Sequence, residues 1–426
     1  MALHLRDLPD LVCTSLGRAK CAAAWNYASF PLFAPVAALY RRLVVRKTRI
    51  IAVVGSQGKT TAQSAVCAVL GLPDNGRDNR NSWSDVAWRL LRVRPRTPRA
   101  VFEVGIAKPG QMRHYARILR PQVTVVTTIG SDHNRSLPSL EVTRWEKAAM
   151  VRALSAEGLA VLNGDDPNVV WMKGETKART IFYGFGAAND VRAEEFAVDW
   201  PHGARFTLHA GGQRRQVRSR LHGRHMVYPL LAAIAVAIAE GVDLDAAVSA
   251  LESLKPVAGR MEMLLLQNGA RLLCDDYKAS QESFFSALDA FEQIPARRRI
   301  VVLGDVGEPV GSKHRLYREI GKRVGCMASR AILIGSSRMR DTARGAISSG
   351  MSPDAITGGS DVGVLKAAEL LRAELCEGDV VLIKGRTTDR LRRVILALQG
   401  RQVRCDIRLC QVGDMECDAC NRLESG

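Results

Sequence analysis

A glycine-rich loop near the N-terminus carries the strongest chemical signal in this chain of 426 residues. It reads Gly55-Ser56-Gln57-Gly58-Lys59-Thr60-Thr61 and lies between a β-branched run, residues 50–54, and a helix-like stretch, residues 60–70. In a strand–loop–helix unit, backbone N–H groups and the helix dipole bind phosphate. Lys59 would neutralise β- and γ-phosphate charge, and the Thr60 hydroxyl would hold Mg²⁺. The loop therefore predicts a nucleotide site, with a tight turn that binds nothing as the alternative.

Two further polar residues follow later apolar runs, at the strand ends where open α/β sheets place their ligands. Glu103 comes directly after an apolar run and suits a carboxylate that reaches Mg²⁺ directly or through water. His133 follows the next run and would ligate a second metal or contact phosphate. A solvated loop role for Glu103 and a structural role for His133 are the alternatives.

The apolar runs that must position these residues alternate with helix-like segments. Since cores stop growing at roughly 250 residues, we expect more than one domain. Runs at residues 50–54, 100–104, 123–127 and 159–162 predict a parallel sheet covered on both faces, and runs at residues 271–274, 300–303, 331–334 and 380–383 predict a second, doubly wound sheet.

We therefore predict an α/β fold in which a central phosphate-loop ATPase domain with a parallel sheet, residues 49–257, precedes a Rossmann-like C-terminal domain, residues 258–400. Residues 1–48 form a short N-terminal segment in this scheme, and residues 401–426 form a cysteine-rich tail.

Composition narrows the class of partner. The formal net charge of +18 attracts phosphates, anionic lipid or nucleic acid. Only 5% of residues are aromatic and long lysine or arginine blocks are missing, which disfavours a nucleic-acid-binding module. Ten cysteines without a recognisable signal peptide do not indicate an extracellular disulfide framework, so we expect a cytoplasmic protein.

Residues 22–39 carry no charge and are followed by Arg41-Arg42 and Arg46-Lys47. Pro31 and Pro35 interrupt the segment, which makes it a poor membrane-spanning helix. Two alternatives remain: a helix packed on the next domain, or peripheral attachment to the inner face of the membrane.

Four cysteines crowd into the last 22 residues, namely Cys405, Cys410, Cys417 and Cys420. Four thiols suit a tetrahedral Zn²⁺ or an iron–sulfur cluster, and one CxxC pair is typical of metal knuckles. We expect Zn²⁺ here, with an iron–sulfur or redox role and ordinary reduced cysteines as alternatives.

The chemistry-bearing residues occur in an order that resembles the Mur ligases of peptidoglycan synthesis, and most closely the MurF type. The collinear match runs from about Arg49 to Leu398. After the loop it comprises, in order, Glu103-Val104-Gly105, residues 121–133, Glu146-Lys147, Asn163-Gly164-Asp165-Asp166, Gly223-Arg224-His225, Gly259-Arg260-Met261-Glu262, Asp275-Asp276-Tyr277, Gly304-Asp305-Val306-Gly307-Glu308 and Lys384-Gly385-Arg386.

This resemblance implies an ATP-dependent, ADP-forming ligase that activates a carboxylate as an acyl phosphate and joins it to an amine. By position, the loop with Lys59, Thr60 and Thr61 would hold ATP and Mg²⁺, and Glu103 and His133 would serve two metal sites. Lys147 matches a lysine that family members carbamylate, which then helps to hold the second Mg²⁺. The resemblance further places His225, Arg260 and Asp276 at the nucleotide, and Lys384 and Arg386 at substrate carboxylate or phosphate.

The chain departs from the MurF pattern in three places. Only about 48 residues precede the first strand, where the MurF type has a domain for the uridine nucleotide of its substrate. Met226 and Pro229 replace two asparagines, and residues 275–281 read Asp-Asp-Tyr-Lys-Ala-Ser-Gln instead of Asp-x-Tyr-Asn-Ala-Asn-Pro.

These departures predict a non-standard substrate pair: a small-molecule or polymer-linked carboxylate and an amine from an amino acid or peptide. Two other functions stay open at this point. One is a phosphate-loop ATPase or kinase, and the other is a degenerate ligase that acts as a scaffold.

Overall fold

The computed structural model describes residues 15–74, 81–131, 136–359, 362–407, 410 and 417–425. The chain divides into two compact units, one formed by Lys20–Lys255 and the other mainly by Pro256–Gly426. Each unit has its own β-sheet and its own hydrophobic core. The predicted α/β class, with parallel-dominated sheets in both halves, is confirmed.

The first unit is built on an eight-stranded sheet with the order β2-β1-β3-β4-β5-β6-β7-β8. The strands are β1 (Arg49–Val54), β2 (Arg99–Glu103), β3 (Val123–Val126), β4 (Leu159–Asn163), β5 (Arg179–Gly184), β6 (Val191–Asp199), β7 (Gly203–Ala210) and β8 (Gln213–Ser219). Neighbours pair in parallel from β2 to β6 and antiparallel from β6 to β8. Strands β3 and β4 are buried throughout, as expected where helices cover both faces.

The helices in this part of the chain are α1 (Ser15–Ala28), α2 (Phe30–Leu43), α3 (Lys59–Val69), α4 (Ser84–Leu91), α5 (Gln111–Leu119), α6 (Leu140–Arg152), α7 (Pro167–Val170), α8 (Val227–Ala239) and α9 (Leu244–Glu252). Helix α8 is apolar on every side and is accordingly buried, with α3 packed against it. The helix that follows the phosphate loop is therefore fixed from behind by a rigid apolar partner.

The second unit has a six-stranded sheet with the order β13-β12-β11-β14-β10-β9, in which only the β9–β10 pair is antiparallel. Its strands are β9 (Glu262–Leu265), β10 (Arg271–Asp275), β11 (Arg298–Leu303), β12 (Arg330–Leu333), β13 (Ile356–Gly358) and β14 (Asp379–Lys384), and its helices are α10 (Gln281–Glu292), α11 (Lys313–Met327), α12 (Met339–Ser348), α13 (Val364–Glu374), α14 (Arg392–Leu398) and α15 (Arg422–Ser425). Strand β14 is buried throughout between β10 and β11, so the carboxyl ends of these three strands meet at one edge.

The uncharged N-terminal segment forms α1 and α2. Helix α2 packs on α4 and α5, and its buried Arg41 donates a hydrogen bond of 2.8 Å to the carbonyl of Leu119. Among the residues that the structure describes, no helix combines the length and the apolar character needed to cross a membrane. One face of this segment is thus packed on the next domain, as one of the two alternatives predicts.

Candidate active site

The loop between β1 and α3 is the centre of the candidate active site. Gly55 has φ of 144° and Gly58 has φ of 74°, which glycine adopts at little cost. A Cβ on Gly55 would lie 1.9 Å from Thr127 Oγ1, so a larger residue does not fit. Helix α3 begins at Lys59 without a side-chain cap from any described residue. Its first N–H groups are therefore positioned to bind phosphate.

Two lysines converge on Ser56 of this loop. Lys59 Nζ donates to the Ser56 carbonyl oxygen at 3.1 Å, and Lys147 Nζ, from α6, donates to Ser56 Oγ at 2.7 Å. Ser56 Oγ also accepts a hydrogen bond of 2.8 Å from the N–H of Gly130. Both lysines are buried. Two ammonium groups in a setting shielded from water attract the phosphates of a nucleotide strongly.

Thr60 and Glu103 bring two oxygen ligands together at the same end of the sheet. Thr60 Oγ1 donates to Glu103 Oε2 at 2.8 Å, and both residues are buried. Hydroxyl and carboxylate oxygens are the ligands that Mg²⁺ prefers, so this pair fits the ion. His133, the predicted ligand of a second metal, lies outside the described residues.

Gln63 and Asn81 orient Glu103 and were not predicted from the sequence. Gln63 Oε1 accepts from the Glu103 backbone N–H at 2.7 Å, and Asn81 Nδ2 donates to Glu103 Oε1 at 2.7 Å. Gln63 lies four residues after Lys59 on α3, so helical spacing alone could have placed it on the face of the helix that bears Lys59. Asn81 is distant in sequence and gives no such signal.

Helix α6 supplies two buried charged residues to this region. Ser139 caps its N-terminus by accepting from the Val142 N–H at 3.2 Å. Glu146 Oε2 accepts from the Gly110 N–H at 2.8 Å, which ties α6 to the start of α5. Lys147, the next residue, reaches Ser56 in the loop. Its carbamylation stays a prediction.

Pro229 and Met226, where the resemblance led us to expect asparagines, both lie at the start of α8. A Cβ on Gly58 would be 3.5 Å from Pro229 Cγ, so the proline lies directly behind the phosphate loop. His225 is half-buried in the short 3₁₀ helix Arg224–Met226, and Met226 is buried. The nucleotide-binding role of His225 stays a prediction. Because methionine and proline stand in place of two asparagines, the start of α8 behind the phosphate loop is more apolar than the family pattern implies.

In the second unit, the predicted substrate residues Lys384 and Arg386 lie where β14 ends. Lys384 Nζ donates to Asp275 Oδ2 at 2.6 Å and to the Lys278 carbonyl at 2.9 Å. Its side chain is fully buried, and burial lowers the pKa of Lys384 while Asp275 opposes that change. Arg386 donates to Asp389 at 2.7 Å and to Asp305 at 3.1 Å. Both cations are thus held by carboxylates, and their contact with substrate stays a prediction.

Asp276 and Arg260, the predicted nucleotide contacts of this unit, differ in environment. The Arg260 guanidinium lies over the Tyr277 ring at 4.6 Å from its centroid. Asp276 is buried, and its Oδ1 has no hydrogen-bond partner among the described residues. Burial raises the pKa of Asp276 to about 6, despite the opposing charge of Arg392. A carboxylate of this kind is poised to accept a donor from a ligand.

The C-terminal cysteines do not form the predicted zinc site in this structure. Cys405, Cys410 and Cys417 are buried free thiols, and Cys420 is half-buried. Over the described ranges, no group of three or more histidine, cysteine, aspartate or glutamate side chains is placed to hold a metal ion. The Zn²⁺ prediction is therefore not supported.

Comparison with protein families gives two matches in chain order. The family model described as the Mur ligase middle domain matches residues 53–237. The model described as the Mur ligase, glutamate ligase domain matches residues 259–387. The two matches correspond to the two sheet-bearing units described above.

Relatives with assigned functions match over most of the chain. The UDP-N-acetylmuramoyl-tripeptide–D-alanyl-D-alanine ligase of Mycobacterium tuberculosis is 31% identical over 383 residues, which is 85% of this chain and 75% of that protein. The enzyme of the same name from Escherichia coli is 28% identical over 379 residues, 86% of this chain and 80% of that protein.

Solved structures show the same fold. The MurF ligase of Thermotoga maritima, in complex with ADP, superposes with a TM-score of 0.76 at 21% identity, covering 87% of this chain and 84% of that chain. MurF from Acinetobacter baumannii gives a TM-score of 0.75 at 22% identity, covering 87% and 81% of the two chains. At such identities the likeness concerns the fold alone.

Proposed function

The chain belongs to the Mur ligase family as a MurF-like ATP-dependent peptide ligase, and on that premise we propose which residues perform the ligation and on what class of substrate. The resemblance seen in the sequence is thereby confirmed at the level of the family. We propose that the loop at Gly55–Thr61 binds the ATP phosphates and that Thr60 and Glu103 hold Mg²⁺.

One observation supports this assignment above all others: Lys59, Lys147 and the Thr60–Glu103 pair converge on the few residues of a single loop. An ordinary surface turn does not bury two lysines and a glutamate beside one loop, because each uncompensated charge costs free energy to desolvate. A phosphate chain with a divalent cation matches this arrangement in charge and in size.

The proposed reaction follows from the chemistry of the carboxylate, which is a poor electrophile. A substrate carboxylate oxygen attacks the γ-phosphorus of ATP, the bond from that phosphorus to the β–γ bridging oxygen breaks, and ADP leaves. The amine nitrogen then attacks the acyl carbon, inorganic phosphate leaves with the former carboxylate oxygen, and the nitrogen loses a proton to water.

The protein's own residues stabilise the first of these steps. Lys59 and Lys147 place positive charge beside the transferring phosphoryl group, and the first turn of α3 directs backbone N–H groups at the phosphates. Thr60 and Glu103 would hold Mg²⁺, which would supply Lewis-acid stabilisation of phosphate charge. Gln63 and Asn81 keep Glu103 oriented for that task.

The substrates differ, in our proposal, from those that give the relatives their names. Lys278, Ser280 and Gln281 replace two asparagines and a proline of the family motif. The Ser280 hydroxyl is used to cap α10, where it accepts from the Ser283 N–H. We propose an amino acid or peptide amine other than D-alanyl-D-alanine, joined to a carboxylate in the cytoplasm, where ATP is available.

The proposal is tested by measuring ADP release with each combination of a set of carboxylates and a set of amines. Mass spectrometry then identifies the product. The first combination to test is UDP-N-acetylmuramoyl-tripeptide with D-alanyl-D-alanine. Efficient turnover of that pair would overturn the non-standard substrate while leaving the ligase assignment intact. ADP release that needs both partners and yields an amide supports a ligase.

Variants separate the ligase from the two other functions. Lys59→Ala should abolish ADP release, whereas Lys313→Ala, at an exposed lysine on α11, should leave it unchanged. ADP release that depends on the carboxylate alone, with a stable phosphorylated product, would indicate a kinase. Absence of ATP binding in the unmodified protein would indicate a scaffold.

A further inference from the structure

Helix α2 is apolar on two opposite faces, and the described residues cover only one of them. The covered face carries Phe30 and Ala37 together with Arg41, all buried. The opposite face carries residues at helical spacing whose exposed fractions lie between 55% and 69%, namely Leu32, Val36, Leu39 and Leu43. A helix of a globular protein normally turns a polar face to water, so this second stripe requires a partner.

Helix α1 extends the exposed apolar surface. No charged residue occurs from residue 21 to residue 40, and Trp25 and Tyr27 are more than half exposed. The few polar groups of the segment fix it to the body: Asn26 Nδ2 donates to Asp85 Oδ2 at 2.7 Å, and the Ser29 and Ser84 hydroxyls lie 2.9 Å apart. The segment formed by α1 and α2 is therefore anchored through its inner side and presents tryptophan, tyrosine and aliphatic side chains outward.

A ring of positive charge borders the C-terminal end of α2. The Tyr40 hydroxyl donates to the Val93 carbonyl at 2.8 Å, and residues 44–48 line a cleft of about 450 Å³ together with residues 95–98. These contacts bring together six exposed cations, which we call the cationic rim: Arg42, Arg46, Lys47, Arg92, Arg94 and Arg96.

Among the described residues, the rim has no ion-pair partner. None of its six residues forms an ion pair with a described residue, and residues 15–73 contain no aspartate or glutamate at all. Its charge is therefore available to an external anion. An exposed apolar stripe next to exposed cations, together with exposed tryptophan and tyrosine, is the arrangement by which amphipathic helices lie in an anionic lipid interface.

We propose that the outer face of α1 and α2, with the cationic rim, binds an anionic phospholipid bilayer peripherally. A second copy of the chain would cover the stripe but would oppose two rims of like charge, on chains that each carry a net charge of +18. A bilayer offers a hydrocarbon boundary and negative headgroups at once. This inference does not depend on the identity of the ligase substrate.

Flotation of the full chain with lipid vesicles tests the proposal. We expect binding to phosphatidylcholine vesicles that contain phosphatidylglycerol, weak binding to phosphatidylcholine alone, and loss of binding as salt increases. Each rim cation should strengthen binding about fivefold, so the triple variant Arg46→Glu, Lys47→Glu, Arg96→Glu should weaken it by about a hundredfold or more. The pair Val36→Asp, Leu39→Asp should weaken it similarly.

Two matched controls make these losses specific. Lys313→Glu, Arg315→Glu, Arg318→Glu on α11 changes the net charge equally at exposed residues, and Leu265→Asp, Val310→Asp replaces exposed apolar residues elsewhere. Both should bind vesicles like the unmodified protein. Unchanged thermal melting and ATP-dependent ADP release in all variants would show that the fold and the active site are intact.

Two outcomes would overturn the proposal. One is that the unmodified chain binds no vesicles, and the other is that it binds them but the variants in α2 and the rim weaken binding no more than the controls do. In the first case, light scattering tests for a concentration-dependent dimer that Val36→Asp, Leu39→Asp abolishes. That result would assign the face to a second copy.

Discussion

Lys147 is the residue whose charge decides how the candidate site works. As an ammonium group it adds a second cation beside Lys59, and as a carbamate it would add an anion that suits a metal. Lys147→Ala should reduce ligation by about 10²- to 10³-fold, the usual loss when one group that stabilises a charged transition state is removed. Melting temperature should change little, since Ser56 Oγ keeps its bond to Gly130.

Lys147→Arg distinguishes the two forms, because arginine keeps the charge but does not form a stable carbamate. If the carbamate is the working form, Lys147→Arg should be as inactive as Lys147→Ala, and added short carboxylates should partly restore Lys147→Ala. An active Lys147→Arg enzyme would show instead that Lys147 acts as a cation. Steady-state ADP release measures both variants.

Asp276 makes the stability of the second unit depend on pH. Its pKa rises from an ordinary 3.8 to about 6 because the carboxyl is buried, so the folded state favours the neutral form. The stabilising contribution is thus fully present below about pH 4 and is lost as the pH rises through 6. Asp276→Asn, which stays neutral, should raise the free energy of unfolding by about 1–3 kcal/mol at pH 7.5.

Chemical denaturation at pH 4, 5, 6 and 7.5 measures this effect, and the gain from Asp276→Asn should vanish towards pH 4. Asp354→Asn, at an exposed aspartate, serves as control and should leave the pH profile unchanged. Ligation by Asp276→Asn should fall even as stability rises, if the carboxylate receives a donor from the nucleotide. Equal gains in stability at every pH would contradict the cause assigned here.

The residues of the site differ in how far the sequence could have revealed them. Gly55 to Thr61 are contiguous, so their spacing alone predicts the phosphate loop. Glu103 could be placed because strand ends share one edge of a sheet. Asn81 could not, since its bond to Glu103 depends on the path of a loop, and no periodic pattern encodes that path.

At the level of elements, the connection from β1 to α3 depends on glycine at Gly55. A Cβ there would collide with Thr127 Oγ1 in a backbone conformation that is already strained for other residues. Gly55→Ala should therefore destabilise the protein by about 2–5 kcal/mol and abolish ATP binding, as strain and overpacking add together. Gly71→Ala is the matched control.

Gly71 has φ of 63°, also in the left-handed region, but nothing lies within 4 Å of its hypothetical Cβ. Gly71→Ala should cost only about 1–2 kcal/mol and leave nucleotide binding unchanged. Calorimetric titration with Mg-ATP, together with thermal melting, compares the two. Equal losses of affinity would show that the loop does not depend on the close approach to Thr127.

The strands divide into those that the sequence predicts and those that it does not. Strands β1, β3 and β4 are short apolar runs because they are buried on both faces, and such runs stand out. Strands β6 to β8 form the antiparallel end of the sheet, in which β7 is mostly buried while β6 and β8 are partly exposed and rich in charge. Strand β8, for example, carries three arginines and a single large apolar residue, Val217, so its pattern resembles a loop.

At the level of the whole molecule, the described residues include one large hydrophobic core in each of the two units. One cluster of buried residues surrounds β1 to β4, and a separate cluster surrounds β10, β11 and β14. Each unit exceeds 150 residues, a size at which a domain can fold on its own core. All residues proposed here to bind the ATP phosphates and Mg²⁺ belong to the first unit, so the two units should respond differently to nucleotide.

Differential scanning calorimetry should therefore show two unfolding transitions. Mg-ATP should raise the midpoint temperature of one of them. At a ligand concentration 100-fold above Kd, binding adds about 2.7 kcal/mol to the stability of the unit that binds, which corresponds to a rise in melting temperature of roughly 5–11 °C for a domain of this size. Glu103→Gln should reduce the shift with Mg-ATP, because the oxygen pair loses its charge. Without Mg²⁺, Glu103→Gln and the unmodified protein should behave alike. A single transition that nucleotide moves as a whole would mean that the two cores unfold together, and an equal shift in Glu103→Gln would remove Glu103 from the metal site.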